Sequence, residues 1–279
     1  MKNILKIMLM MITIFTIAGS AVYAAEIPVS DQDQLITSSD WTEISNLQDE
    51  MKKEEPDATI DYDKALKVYV DCNLIKLQTA DTKKLTSALE SANYVWVIPF
   101  KMEKTYGMFT VAKGLPLSEE AKSVLTKAEQ EEVKNHAGKW MITETAEHTV
   151  EPYYDILLEK REALSDCTRV VLVGSQPGMR QPVALGMDDE TARIWISLGY
   201  QYPVMEKIPE TQNVESGVYS FDSVAEISDT YIEDSEVSTG AGVQSRSSMK
   251  YVAGIGIIVI GSILIFSVLK KKKLEQSGE

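Results

Sequence analysis

Histidine and cysteine each occur only twice in this 279-residue chain, as His136, His148, Cys72 and Cys167. That scarcity removes most reactive arrangements at once. Two histidines twelve residues apart, with both cysteines distant from them, do not make a zinc spacing. No Gly-x-Ser-x-Gly turn is present to raise a serine nucleophile above a sheet. Glycine-rich phosphate loops are also missing. Asp31 with Asp33, Asp61 with Asp63, and Asp188-Asp189-Glu190 could offer oxygens to calcium. None supplies the sixth-position glycine and twelfth-position glutamate of an EF-hand loop. No cofactor or metal is expected. A Cys–His couple, Cys72 or Cys167 with His148, remains on paper only, because no flanking signature supports it.

Long hydrophobic runs are confined to the two ends. Lys2 and Lys6 precede an apolar run from Ile7 to Ala18, and small residues lead to a cleavage position after Ala24. That order reads as a secretory signal peptide over 1–24; an uncleaved anchor is the alternative, though the apolar core is short for a span. Residues 251–269 carry no charge and would reach about 28 Å as a helix at about 1.5 Å per residue. A hydrocarbon core of about 30 Å accepts that length, and a helix satisfies its own backbone there. Lys270 to Lys273 follow at once and are expected to hold the tail, 270–279, in the cytoplasm. The expected location is the cell membrane: single-pass, N-terminal domain extracellular. Leu-Pro-any-Thr-Gly, the wall-sorting motif, is absent; the nearest stretch, Glu236–Gly240, keeps only its Thr and Gly.

Positive charge is sparse between these ends. The leader contributes +2 and the tail +2, so residues 25–250 carry −18 where the whole chain carries −14. Such a surface repels nucleic acid, whose binding needs cationic side chains. It attracts basic partners, or simply keeps a secreted domain soluble.

The middle of the chain is densely patterned. Residues 25–56 read as a polar linker followed by an amphipathic helix with Trp41, Ile44, Leu47 and Met51 on one face, capped by Ser39 or Asp40 and ended by Pro56. Residues 57–221 read as one α+β domain with a mixed or antiparallel sheet. Strands are expected at 65–72, 94–100, 107–114, 139–148, 168–174, 182–186 and 192–198, with a possible edge strand at 217–221. Helices are expected at 81–93, from Ser118 through a Thr126–Glu129 capping box, and from Tyr153 to about Leu164. An acidic Ser/Thr-rich stalk is expected over 222–250.

Two similar glycine-bounded stretches, Gly107–Gly114 and Gly178–Gly186, suggest an internal duplication of a βαββ unit, since their Val-Ala cores lie 72 residues apart, as do Lys67 and Lys139. If the copies are real, 65–114 should match 137–186 strand for strand. Within the second stretch Arg180 is a cation on a loop, either a solvated or salt-bridged charge or an anion-binding contact; His148 is the other candidate ligand contact. Cys72 and Cys167 could form a disulfide or remain separate buried thiols. Trp96, Trp140 and Trp195 fall in strands, where core packing and a partner-binding row compete. These features are expected to add up to a noncatalytic binding or scaffold module of the bacterial cell envelope, acting on an envelope protein or polymer. A membrane-anchored hydrolase with its site between the two halves is the alternative.

Overall fold

The computed structural model describes residues 27–228 except Thr149, Ser175, Pro177, Gly178, Arg180, Gln201, Pro203 and 210–212. The leader, the stretch 229–250 and the expected span at 251–269 lie outside the described residues. Among the described residues, no helix is long and apolar enough to cross a membrane.

Ten strands form one mixed, mostly antiparallel sheet, confirming the α+β class. They are β1 (Thr59–Ile60), β2 (Leu66–Tyr69), β3 (Tyr94–Lys101), β4 (Tyr106–Lys113), β5 (Trp140–His148), β6 (Arg169–Val173), β7 (Val183–Met187), β8 (Ala192–Ser197), β9 (Asn213–Glu215) and β10 (Val218–Ser220). The order across the sheet is β5-β4-β3-β2-β6-β7-β8-β10-β9, with β1 beside the end of β3. Among the described strands, β2 and β6 alone run parallel, through Val68↔Leu172 and Tyr69↔Val173. Outward from β2 the strands β3, β4 and β5 form an antiparallel meander; outward from β6, β7 and β8 do the same and are followed by β10 and then β9.

This order ends the duplication. In the first unit β2, β3 and β4 are neighbours. In the second, β5 lies beyond β4 at the far edge, with three strands between it and β6. The 72-residue echo is local pattern without a common pairing. The glycines that the 72-residue echo pairs, Gly114 and Gly186, have different seats as well. Gly114 lies against the His136 carbonyl, where a Cβ would fall 2.2 Å from the oxygen. Gly186 lies under the Cys167 thiol and Ile194, at 2.8 and 2.9 Å from the position of a Cβ.

Alternation along the strands divides the core. One face carries Tyr69, Trp96, Phe109, Val171, Leu185 and Trp195. The other carries Val68, Val97, Leu172, Ala184 and Ile196. All three strand tryptophans are buried, so core packing takes them rather than a surface row.

Helices cover both faces. On the first face, α1 (Trp41–Ile44) continues through a 3₁₀ turn into α2 (Gln48–Glu54), burying Ile44 and Met51. Asp40 does not cap α1 by a side-chain bond. Helix α3 (Thr82–Glu90) is capped by Asp81 and packs Leu85 and Leu89 over the other half of that face. Residues 221–228 are helical too, with Phe221 and Val224 in the same cluster. Packed structure therefore continues past 222, where a stalk was expected, because Phe221, Val224 and Ser228 repeat at helical spacing and face inward.

Helices α4 (Glu119–Val124) and α5 (Lys127–His136) join β4 to β5, the first capped by Ser118 and the second by the expected Thr126–Glu129 box. On the second face, α6 (Tyr153–Glu159) buries Tyr153 and Leu157.

Candidate functional site

The parallel pair β2–β6 is short because another segment enters it. Below Val68 the two strands separate, and residues 28–35 pass between them. The Val170 N–H donates to the Pro28 carbonyl at 2.8 Å, while Leu35 N–H reaches Ala65 O at 3.4 Å and Gln34 bridges to Leu66. Ile27 is buried on the second face and Asp33 on the first. The segment read as a polar linker is thus a strap threaded through the sheet, closing backbone groups that a fork would leave open.

Asp33 is 2 % exposed, and its burial is compensated by neighbours. Tyr69 donates its hydroxyl to Oδ1 at 2.7 Å. Arg169 donates from Nε and Nη2 to Oδ2 at 3.2 and 2.7 Å. Lys67 Nζ lies 3.8 Å from Oδ1. The same ammonium sits over three rings, 4.5 Å from the centre of Tyr94, 5.2 Å from Trp96 and 5.9 Å from Tyr69. Asp40 closes the group by accepting from Tyr94 Oη at 2.9 Å and Trp96 Nε1 at 3.0 Å. Burial pulls the Lys67 ammonium below its ordinary pKa against the opposing attraction of Asp33 and Asp40. Burial first, then the Asp33 carboxylate, pushes the Tyr69 phenol upward. Two carboxylates face two cations at the seam between two apolar clusters. Every charge there has an internal partner, so the arrangement fastens the strap.

A second polar group forms on the other face. His148 ends β5 and Tyr200 follows β8, at diagonally opposite corners of the sheet. Cumulative right-handed strand twist bends such corners toward one face, and Tyr200 Oη meets His148 Nδ1 at 3.3 Å. Tyr153 shares a hydrogen bond with Tyr200, and its phenol is pushed up, chiefly by burial. Tyr202 packs edge-on to Tyr200 and donates to Pro182 O. Burial lowers the His148 pKa, with Glu144 pulling the other way. Chemically this is an imidazole held by a phenol, and burial favours its neutral form.

The remaining candidates do not join it. Cys72 and Cys167 are free thiols, not a disulfide. They lie at opposite ends of the parallel pair: Cys72 follows β2, and Cys167 precedes β6. The register separates them by about nine residues along the strand direction, roughly 30 Å. A bridge tolerates Cα atoms only up to about 7 Å apart. Burial raises both thiols to about 11, so neither is thiolate at neutral pH. His136 closes α5, and its carbonyl sits against Gly114, where a Cβ would approach to 2.2 Å. Arg180 lies outside the described residues.

Asp188 Oδ1 accepts from the Glu190 and Thr191 amides, and Oδ2 pairs with Arg193. These oxygens cap a hairpin turn. Among the described residues, no group of three or more His, Cys, Asp or Glu could hold a metal ion.

Gln176, unmarked by any motif around it, is buried and hydrogen-bonded through both its oxygen and its nitrogen. It accepts from Leu74 N–H at 3.0 Å and donates to Cys72 O and Gly174 O. It ties the loop after β2 to the loop after β6. Nearby, a groove of about 280 Å³ opens between Ile75, Gln78 and Ala80 on one side and Phe221, Ala225 and Glu226 on the other. It lies on the first face, away from His148.

No protein-family model matches this chain, and neither a curated protein nor a solved structure is significantly similar to it.

Proposed function

We propose that the chain is a single-pass, membrane-anchored extracytoplasmic module of the bacterial cell envelope that binds a protein or polymer partner without transforming it. Anchoring is supported by the uncharged stretch 251–269 ahead of Lys270–Lys273 and by the secretory pattern of 1–24.

The observation that carries the binding reading is the fate of the reactive groups. Both thiols are held protonated. His148 is engaged by Tyr200, and the central carboxylate Asp33 is consumed by Arg169 and Tyr69. These four groups are engaged or held protonated within the fold, which suits a rigid module.

The test uses the full chain in its native membrane with a tag on Glu279. External protease should remove residues 27–228 and leave the tag protected. Cross-linking in intact cells should recover a partner with the wild-type ectodomain and lose it when an unrelated acidic domain of similar size replaces 27–228. A tag cut from outside, or a partner retained after the replacement, sinks the reading.

A further inference from the structure

Strand β5 is the edge of the sheet and its longest strand, nine residues from Trp140 to His148. On its inner side it pairs with β4 from Trp140 to His148, with one bulge at Thr143. Among the described residues its backbone hydrogen-bonds to β4 and to no other strand or loop. The opposite edge, β9, has only three residues.

Proteins blunt such edges with proline, lysine, bulges or short length; β5 contains neither proline nor lysine, and its one bulge, at Thr143, leaves the five residues from Glu144 to His148 in regular register with β4. What it carries is glutamate. Glu144 and Glu147 are exposed along it, and Glu54 accepts from the β5 side chain Thr145 at 2.7 Å. Glu55 adjoins them: burial, then repulsion from Glu147 and Glu54, raises its pKa. Like charges this close resist each other, and a cation laid beside them would relieve that repulsion.

The geometry points to β5 as a strand-addition site for an extended basic segment of a partner protein. Backbone pairing to the open ladder supplies attachment. Lysine or arginine side chains on the first face then meet Glu54, Glu55 and Glu147. Self-pairing of two β5 edges is opposed, because it sets glutamates of one copy against those of the other in a domain already strongly acidic. The inference rests on the binding reading above but fails separately: a partner can be captured in cells by another surface while β5 stays idle.

The probe is an acetylated nine-residue peptide of alternating valine and lysine, measured against the purified full chain by calorimetry at low and moderate salt. Its opposite is the same peptide with glutamate for lysine. Two variants, Thr145→Pro and Ala146→Pro, are made together. Successive strand N–H groups point to opposite sides, so one of the two removes an outward donor and spares the β4 ladder. The variant that keeps the wild-type melting temperature is the one assayed. The lysine peptide should bind, and the chosen proline variant and Glu147→Lys should each weaken it about tenfold or more. The glutamate peptide should not bind. Absence of binding, equal binding of the glutamate peptide, or binding that salt abolishes but proline leaves unchanged overturns strand addition.

Discussion

Asp33 and Arg169 stand 136 residues apart in the chain, yet Arg169 grips one oxygen of Asp33 through two nitrogens at 2.7 and 3.2 Å. That grip fixes residues 28–35 in the fork between β2 and β6. Removing one partner leaves the other buried and uncompensated, at a cost of about 3–5 kcal/mol. Asp33→Ala should therefore lower the urea unfolding free energy by about that amount. Lys67→Met should behave differently: it keeps an apolar stem against Tyr94 and Trp96 and relieves the burial of a charge. Its change should stay within about 1 kcal/mol. Equal losses in the two variants would show that the Lys67 ammonium holds the strap as firmly as the Asp33 carboxylate does.

Thiol chemistry should follow the separation of the two cysteines. Melting temperature should be the same with and without reductant. Ellman's reagent at pH 8 should find both thiols in unfolded protein and label the folded protein slowly, with buried Cys167 the slower. A melting point that falls on reduction would mean the two sulfurs are bonded.

Gly107 should be intolerant of even one carbon. Its Cα face is covered by the Phe100 ring across the β3–β4 pair. Gly107→Ala should cost about 1–3 kcal/mol through overpacking. Pairing it with Phe100→Leu should give a loss smaller than the sum of the two single losses. Thermal denaturation of the three variants decides this; strict additivity would mean the ring does not rest there.

Stability should fall with acid through His148. Its folded pKa is lowered by burial from the ordinary 6.5. As pH drops through about 6.5, the unfolded chain takes up a proton that the folded one refuses, so the contribution is present above that value and lost below it. His148→Gln should flatten the slope of stability between pH 7 and 5.5 while leaving the carboxylate-driven loss at lower pH. An unchanged slope would place the proton uptake on another group.

Local chemistry was legible in the sequence, and pairing was not. The Thr126–Glu129 box, the Ser118 cap and the hairpin at Asp188 appear where residue type dictates them. Each depends on atoms within a few residues. The sheet order depends on which strand finds which, and the Val-Ala echo at Val111 and Val183 says nothing about that. The strap was hardest to read. Residues 27–35 have no period because they do not line one face; they cross from one to the other, with Ile27 and Asp33 buried on opposite sides. Asp40 looked like a helix cap by position, but Tyr94 and Trp96, more than fifty residues later, claim its carboxylate. Asp33 was visible only as one of several acidic residues, since its partners Tyr69 and Arg169 are remote.

Pro28 must wait for Val170, which is made 142 residues later. A chain emerging N-terminus first can build the β2–β3–β4 meander early but cannot close its centre until β6 arrives. Until then the exposed fork offers unpaired amides and apolar flanks to whatever is nearby. Maturation of this domain thus waits on a long-range closure, and any holding factor would act in that interval.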